Sequence, residues 1–242
     1  MPLSCYWGLG QHGLVSSSVP FEQASDGMAG DGVLVRWARH GLWLLPVYGL
    51  LLALSTLTHQ PDYNTDFAGY ADYITTDRFL LSHLVASIGG MAAGTVGTVA
   101  LGVLLARGAG ATVAVAGLAC TVVGNVLFTA IFAAAAFAQP AIGEAFLAGA
   151  GEVADQVNSD VYGAPLFATF GVGAVFFVTG AILLGVAITR YRVGLRWLGI
   201  GYAVLLPLFL VTGFTIDFLQ PVMGAAFAVV GLLLARRLQT HN

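Results

Sequence analysis

The chain has 242 residues, 58% of them hydrophobic and only 9% charged, with a mean hydropathy of +0.86 and a net charge of -3. A soluble domain carries about a quarter charged residues, so the composition excludes an ordinary water-soluble globule and points to an all-α, polytopic membrane helix bundle whose first partner is the lipid bilayer. The small net charge, with no lysine at all, excludes a basic nucleic-acid-binding face, and no nucleic acid is expected as a partner.

Residues 1–35 are rich in Gly and Ser, contain Glu22, Asp26 and Asp31, and show no sustained period. They are expected to form a flexible N-terminal arm, within which Met28 is an alternative start. Residues 36–238 read as a single transmembrane domain. Arg36 and Arg39 followed by the apolar run 41–57 have the layout of a signal peptide, with Ala53, Leu54 and Ser55 as a poor cleavage site. The run is longer than a usual signal core, so it is taken as a retained first span.

Hydropathy divides the domain into six spans, at 37–57, 79–106, 111–138, 164–189, 197–214 and 221–235. At 1.5 Å per residue each approaches or exceeds the bilayer core of about 30 Å, apart from the short sixth. Placing the N-terminus in the cytoplasm puts Arg36, Arg39, Arg107, Arg190, Arg192, Arg196, Arg236 and Arg237 inside and only Arg78 outside. That satisfies the positive-inside rule and puts both termini on the cytoplasmic side of a cell membrane. On this topology every acidic residue beyond the arm falls outside: Asp62, Asp66, Asp72, Asp77, Glu144, Glu152, Asp155, Asp160 and Asp217.

The first outer connector, 58–78, holds Phe67, Tyr70 and Ile74 at helical spacing, with Thr65 as the expected cap and Tyr63 and Tyr73 suited to the headgroup zone. A short amphipathic surface helix follows. Its plain role is a lid over the bundle. In a sharper reading His59, Asp62, Asp66 and Asp72 ligate a cation, although no tight metal spacing appears. A second outer amphipathic helix is expected after Gln139 and Pro140, with Ile142, Phe146, Gly149, Val153 and Val157 on one face and Glu144, Glu152 and Asp155 on others.

Down the second span, His83, Ser87, Gly90, Gly94 and Thr98 form a small and polar face that should meet another helix. His83 therefore points inward near the outer surface, either as a packing hydrogen-bond donor or as a functional group. In the third span Gly117, Thr121, Gly124, Asn125 and Phe128 form a comparable stripe. Asn125 lies near the bilayer centre and needs a partner, since an unpaired amide in hydrocarbon costs several kcal/mol. Cys120, in the same span, reads as a small packing residue with no cation to activate its thiol.

No Asp, Glu, Lys or Arg falls near the middle of any predicted span, which disfavours proton-coupled transport. There is no phosphate-binding loop, no HExxH and no nucleophile elbow. Three functions remain. The first is a small accessory, interaction or sensing protein with an acidic and aromatic outer surface, working with a membrane protein partner or as a homo-oligomer. The second is a membrane-embedded enzyme or a haem- or metal-binding protein with an outer site at His83, assisted by His59, Asp62, Asp77 or Asp217. The third is a facilitator for a neutral or apolar solute, lined by Asn125. The sequence specifies no cofactor, catalytic group or metal.

Overall fold

The structure, a computed structural model, describes residues 32–57, 60–213, 216 and 218–239. The arm expected at 1–35 therefore lies almost wholly outside the described residues. Leu34–Asn242 forms one compact unit.

Every regular element described is helical. Helix α1 (32–41) leads into α2 (Leu44–Ser55), and the connector after α2 holds α3 (Phe67–Ile74). One long rod follows, made of α4 (Asp77–Leu81), a π-helical stretch at Ser82–Ile88 and α5 (Gly89–Leu105). Then come α6 (Ala111–Leu147), α7 (Gly151–Val161), α8 (Ala164–Tyr191), a 3-10 turn at Val193–Leu195, α9 (Arg196–Thr212) and α10 (Leu219–Gln239).

Among the described residues five helical stretches are long and apolar enough to cross a membrane: Asp77–Leu105, Ala111–Leu147, Gly151–Tyr191, Val193–Thr212 and Leu219–Gln239. The expected first span is not among them. Its helix is interrupted at Leu42 and Trp43, and α2 alone has 12 residues, about 18 Å of rise. Pro46 explains the interruption: it has no N–H to give the Leu42 carbonyl, which accepts from Leu45 N instead (3.0 Å). The last span, short in the hydropathy profile, gains a turn at its C-terminal end and reaches 21 residues.

The carboxylate-bearing end also departs from expectation. Helix α6 does not stop at Pro140 but runs 37 residues to Leu147, about 55 Å, so it stands proud of the bilayer core as a post. It ends at Gly149, whose φ of +84° suits glycine. Gly149 N donates to Phe146 O and Ala150 N to Ala145 O, the paired bonds of a Schellman stop. The single amphipathic helix read across 142–157 is thus two pieces, and on α7 it is Ala154 that is buried while Val153 and Val157 face outward. On α3 the cap is Asp66, accepting from Gly69 N at 2.9 Å, and not Thr65.

Close backbone approach holds the bundle together. Helix α2 runs antiparallel to α5 and to α10: Gly94 meets the Tyr48 ring, Gly97 meets Leu45, Gly49 meets Ala228, and Gly224 meets Ala53. Helices α6 and α8 pair the same way, through Gly117 on Leu184, Thr121 on Gly180 and Gly124 on Phe177. In lipid such contacts stabilise by dispersion, because apolar side chains gain nothing by leaving lipid for one another.

The helix directions sort the charges. Arg107, Arg190, Arg192, Arg196, Arg236 and Arg237 gather at the end where α5 stops and α6 begins. Two hydrogen bonds tie that end together, Arg237 Nη1 to Gly194 O (2.9 Å) and Gln239 Nε2 to Arg39 O (3.1 Å). The described carboxylates after α2 occupy the opposite end, where Ile74 of α3 and Thr75 just after it rest on Gly143 of α6.

Candidate functional site

His83 sits in the π-helical stretch. Its Nδ1 lies 3.0 Å from the Phe79 carbonyl, which can only accept, so Nδ1 carries the proton and Nε2 is left as an acceptor. The ring also packs on Phe79, with centroids 4.1 Å apart. Extra residues in a helix of this kind re-aim side chains and recur at functional sites. His83 and Ser87 line one chamber of about 170 Å³, whose wall also includes Ser55, Gln60, Tyr73 and Gln220.

This chamber adjoins a second one of about 160 Å³ that is mostly aromatic, walled by Phe128, Phe170 and Leu210. The two share Phe132, Phe209 and Gln220. Each is smaller than the roughly 300–1,000 Å³ of a typical small-molecule site. A macrocycle does not fit beside His83, whereas a small polar head with an apolar tail suits the pair.

Asn125 belongs elsewhere. It is 1% exposed and lines neither chamber. Its Nδ2 donates to Thr95 Oγ1 (3.1 Å), while Oδ1 is buried without a partner. One turn along, Thr98 Oγ1 and the Tyr202 hydroxyl are 3.3 Å apart, and the Tyr48 hydroxyl is buried with no partner. These side chains form a polar seam that joins α2, α5, α6 and α9 inside the bundle.

The acidic candidates do not converge on His83. Asp62 closes a turn, accepting from Asn64 N (2.8 Å) and Nδ2 (3.1 Å), Asp66 caps α3, and Asp77 lies exposed in the first turn of α4. None of the three lines the chamber. His59 and Asp217 lie outside the described residues. Among the described residues no three of His, Cys, Asp and Glu are grouped to hold a metal ion.

The sequence reading missed a cavity of about 400 Å³ at the carboxylate end. Tyr63 and Tyr70 from the connector, Gln139 from α6, and Asn158, Ser159 and Tyr162 from α7 and its end line it, with Gln60 shared with the His83 chamber. Tyr70 is 4% exposed, and burial beside Tyr63 pushes its phenol up to about 12. The only local signal in the sequence was a run of amides and tyrosines near Pro140 and Gly163, which by itself reads as surface punctuation. No protein-family model, curated protein or solved structure matches the chain.

Proposed function

We propose that the protein is a multi-pass membrane protein whose outward end works as a sensing or accessory module, taking a small amphipathic molecule into the paired chambers at His83. The observation that carries this reading is the shared wall of Phe132, Phe209 and Gln220, which sets a polar compartment against an aromatic one. A polar head would donate to His83 Nε2 and meet Ser87 or Gln220, and an apolar chain would lie among Phe128, Phe170 and Phe209. Matching polar groups to polar walls avoids the cost of burying them unpaired.

On this reading α1 and α2 together make a sixth span kinked at Pro46. The antiparallel register of α2 on α5 and α10, along with Gly41 packing on Ala100, supports it. The arginine-rich end lies in the cytoplasm, by the positive-inside rule. Arginine sorting on the helix directions supports that orientation.

Mass spectrometry of lipids retained by the protein purified in mild detergent tests the proposal. We expect an amphiphile bound to the natural chain and lost from Ser87→Phe, which fills the polar chamber. No retained molecule, or equal retention by a Ser87→Phe protein of unchanged melting temperature, would contradict it.

A further inference from the structure

The 400 Å³ outer cavity carries a separate conclusion, which does not depend on what occupies the His83 chamber. Gln139 is 9% exposed and lines this cavity, yet its Oε1 is buried with no hydrogen bond. The Tyr162 hydroxyl lines the same cavity and interacts with the Gln139 side chain. Buried acceptors are ordinarily satisfied, and Gln139 Oε1 at the wall of this cavity has no donor of its own.

The lining defines what would donate to it. Among the described residues that form the cavity none is charged. A phosphate or an ammonium group would find no counter-charge there, and Asp62 and Asp160, next in sequence to the lining residues Tyr63 and Ser159, would repel an anion. Gln60, Gln139 and Asn158 offer donors and acceptors side by side, which matches hydroxyls, themselves both donor and acceptor. Tyr63, Tyr70 and Tyr162 add ring faces with polar tips, suited to a ligand that is apolar on its faces and polar at its rim.

We infer that this cavity binds an uncharged, hydroxyl-bearing ring of the glycosyl type, presented as a free saccharide or as the headgroup of a glycolipid. The volume lies within the range of small-molecule sites. The cavity opens at the carboxylate end, where α7, the connector and the start of α8 meet above the bundle.

The test uses the full chain in nanodiscs of phosphatidylcholine. One arm titrates methyl β-glucoside, N-acetylglucosamine and myo-inositol by calorimetry. The other includes monoglucosyl diacylglycerol in the nanodisc and reads retention by native mass spectrometry. We expect saturable binding of at least one glycosyl probe, weakened tenfold or more by Gln139→Leu or by Tyr162→Phe. The unfolding temperature of each variant is measured beside its binding, so that loss of binding at an unchanged unfolding temperature is read as loss of a ligand contact. Binding in the first arm assigns the free saccharide as the source, and binding in the second alone assigns the lipid. Failure of every glycosyl probe in both arms, or binding that both variants leave unchanged, would overturn the inference. Tyr162→Phe deletes a single oxygen and keeps the ring, so it serves if Gln139→Leu fails to fold.

Discussion

His83 and Asn125 both carry polar side chains into an apolar helix, and their surroundings set them apart. The His83 ring spends one nitrogen on its own helix and lines a chamber, whereas Asn125 spends its amide on a neighbouring helix and faces no cavity described above. Replacing Asn125 by the similarly shaped Leu loses one hydrogen bond but also removes the unpaired Oδ1. We expect the two effects nearly to cancel, leaving stability within about 1 kcal/mol. Thr95→Val should cost more, about 1–3 kcal/mol, because it strands the Asn125 amide as well. Denaturant unfolding in detergent checks the order, and a larger loss in Asn125→Leu than in Thr95→Val would argue against it.

Tyr70 gives a pH dependence. Its phenol titrates near 12 when folded, against 10.0 unperturbed, so the folded state holds its proton where the unfolded state has released it. The stability contributed is complete below pH 10.0 and is lost as pH rises toward 12. Ultraviolet titration of the natural chain against Tyr70→Phe should show the missing tyrosinate signal appearing near pH 12; a difference centred at 10 would contradict the burial. At this scale the sequence shows that His83 faces inward, since Ser87, Gly90 and Gly94 continue its face. It does not show Gln139 and Tyr162 as partners, because four separate segments bring their cavity together and no periodicity links them.

Among the elements, α6 shows most clearly where local signals fail. A proline reads as a helix boundary because it removes one donor, yet a long helix packed on α3 and α8 tolerates one lost bond and continues to Leu147. Its stop at Gly149 is a local matter. An added Cβ there meets nothing within 4 Å, but φ is +84°, so Gly149→Ala should cost about 1 kcal/mol from backbone strain alone. Gly49 presents the opposite case: it adopts an ordinary helical backbone, and a Cβ would collide with the backbone of Ala228. We expect Gly49→Leu to separate α2 from α10 and lower the melting temperature far more than Gly149→Ala. Thermal unfolding of both variants checks this ranking, and equal losses would contradict the packing described. The π-helical stretch at Ser82–Ile88 left no mark in the sequence, where the residues keep an ordinary helical period.

For the molecule as a whole, composition makes the membrane class plain and hydropathy finds five of the spanning stretches to within a few residues at most ends. The exception is informative: the run 41–57 is largely apolar, but Pro46 breaks the helical ladder that apolarity alone cannot sense. Charge sorting is legible in both. The sequence separates arginines from carboxylates, and the helix directions carry them to opposite ends. The cavities all depend on which end faces out, because a ligand from the outer leaflet or the exterior reaches them only from the carboxylate side.

The most direct measurement is labelling with a membrane-impermeant maleimide in intact and permeabilised cells, after Cys5 and Cys120 have been replaced. A cysteine at Asp155, exposed on α7, and one at Val193, 91% exposed beside Arg192, report the two ends. We expect Asp155→Cys to react in intact cells and Val193→Cys only after permeabilisation. The reverse pattern would place the cavities in the cytoplasm and contradict the proposed function.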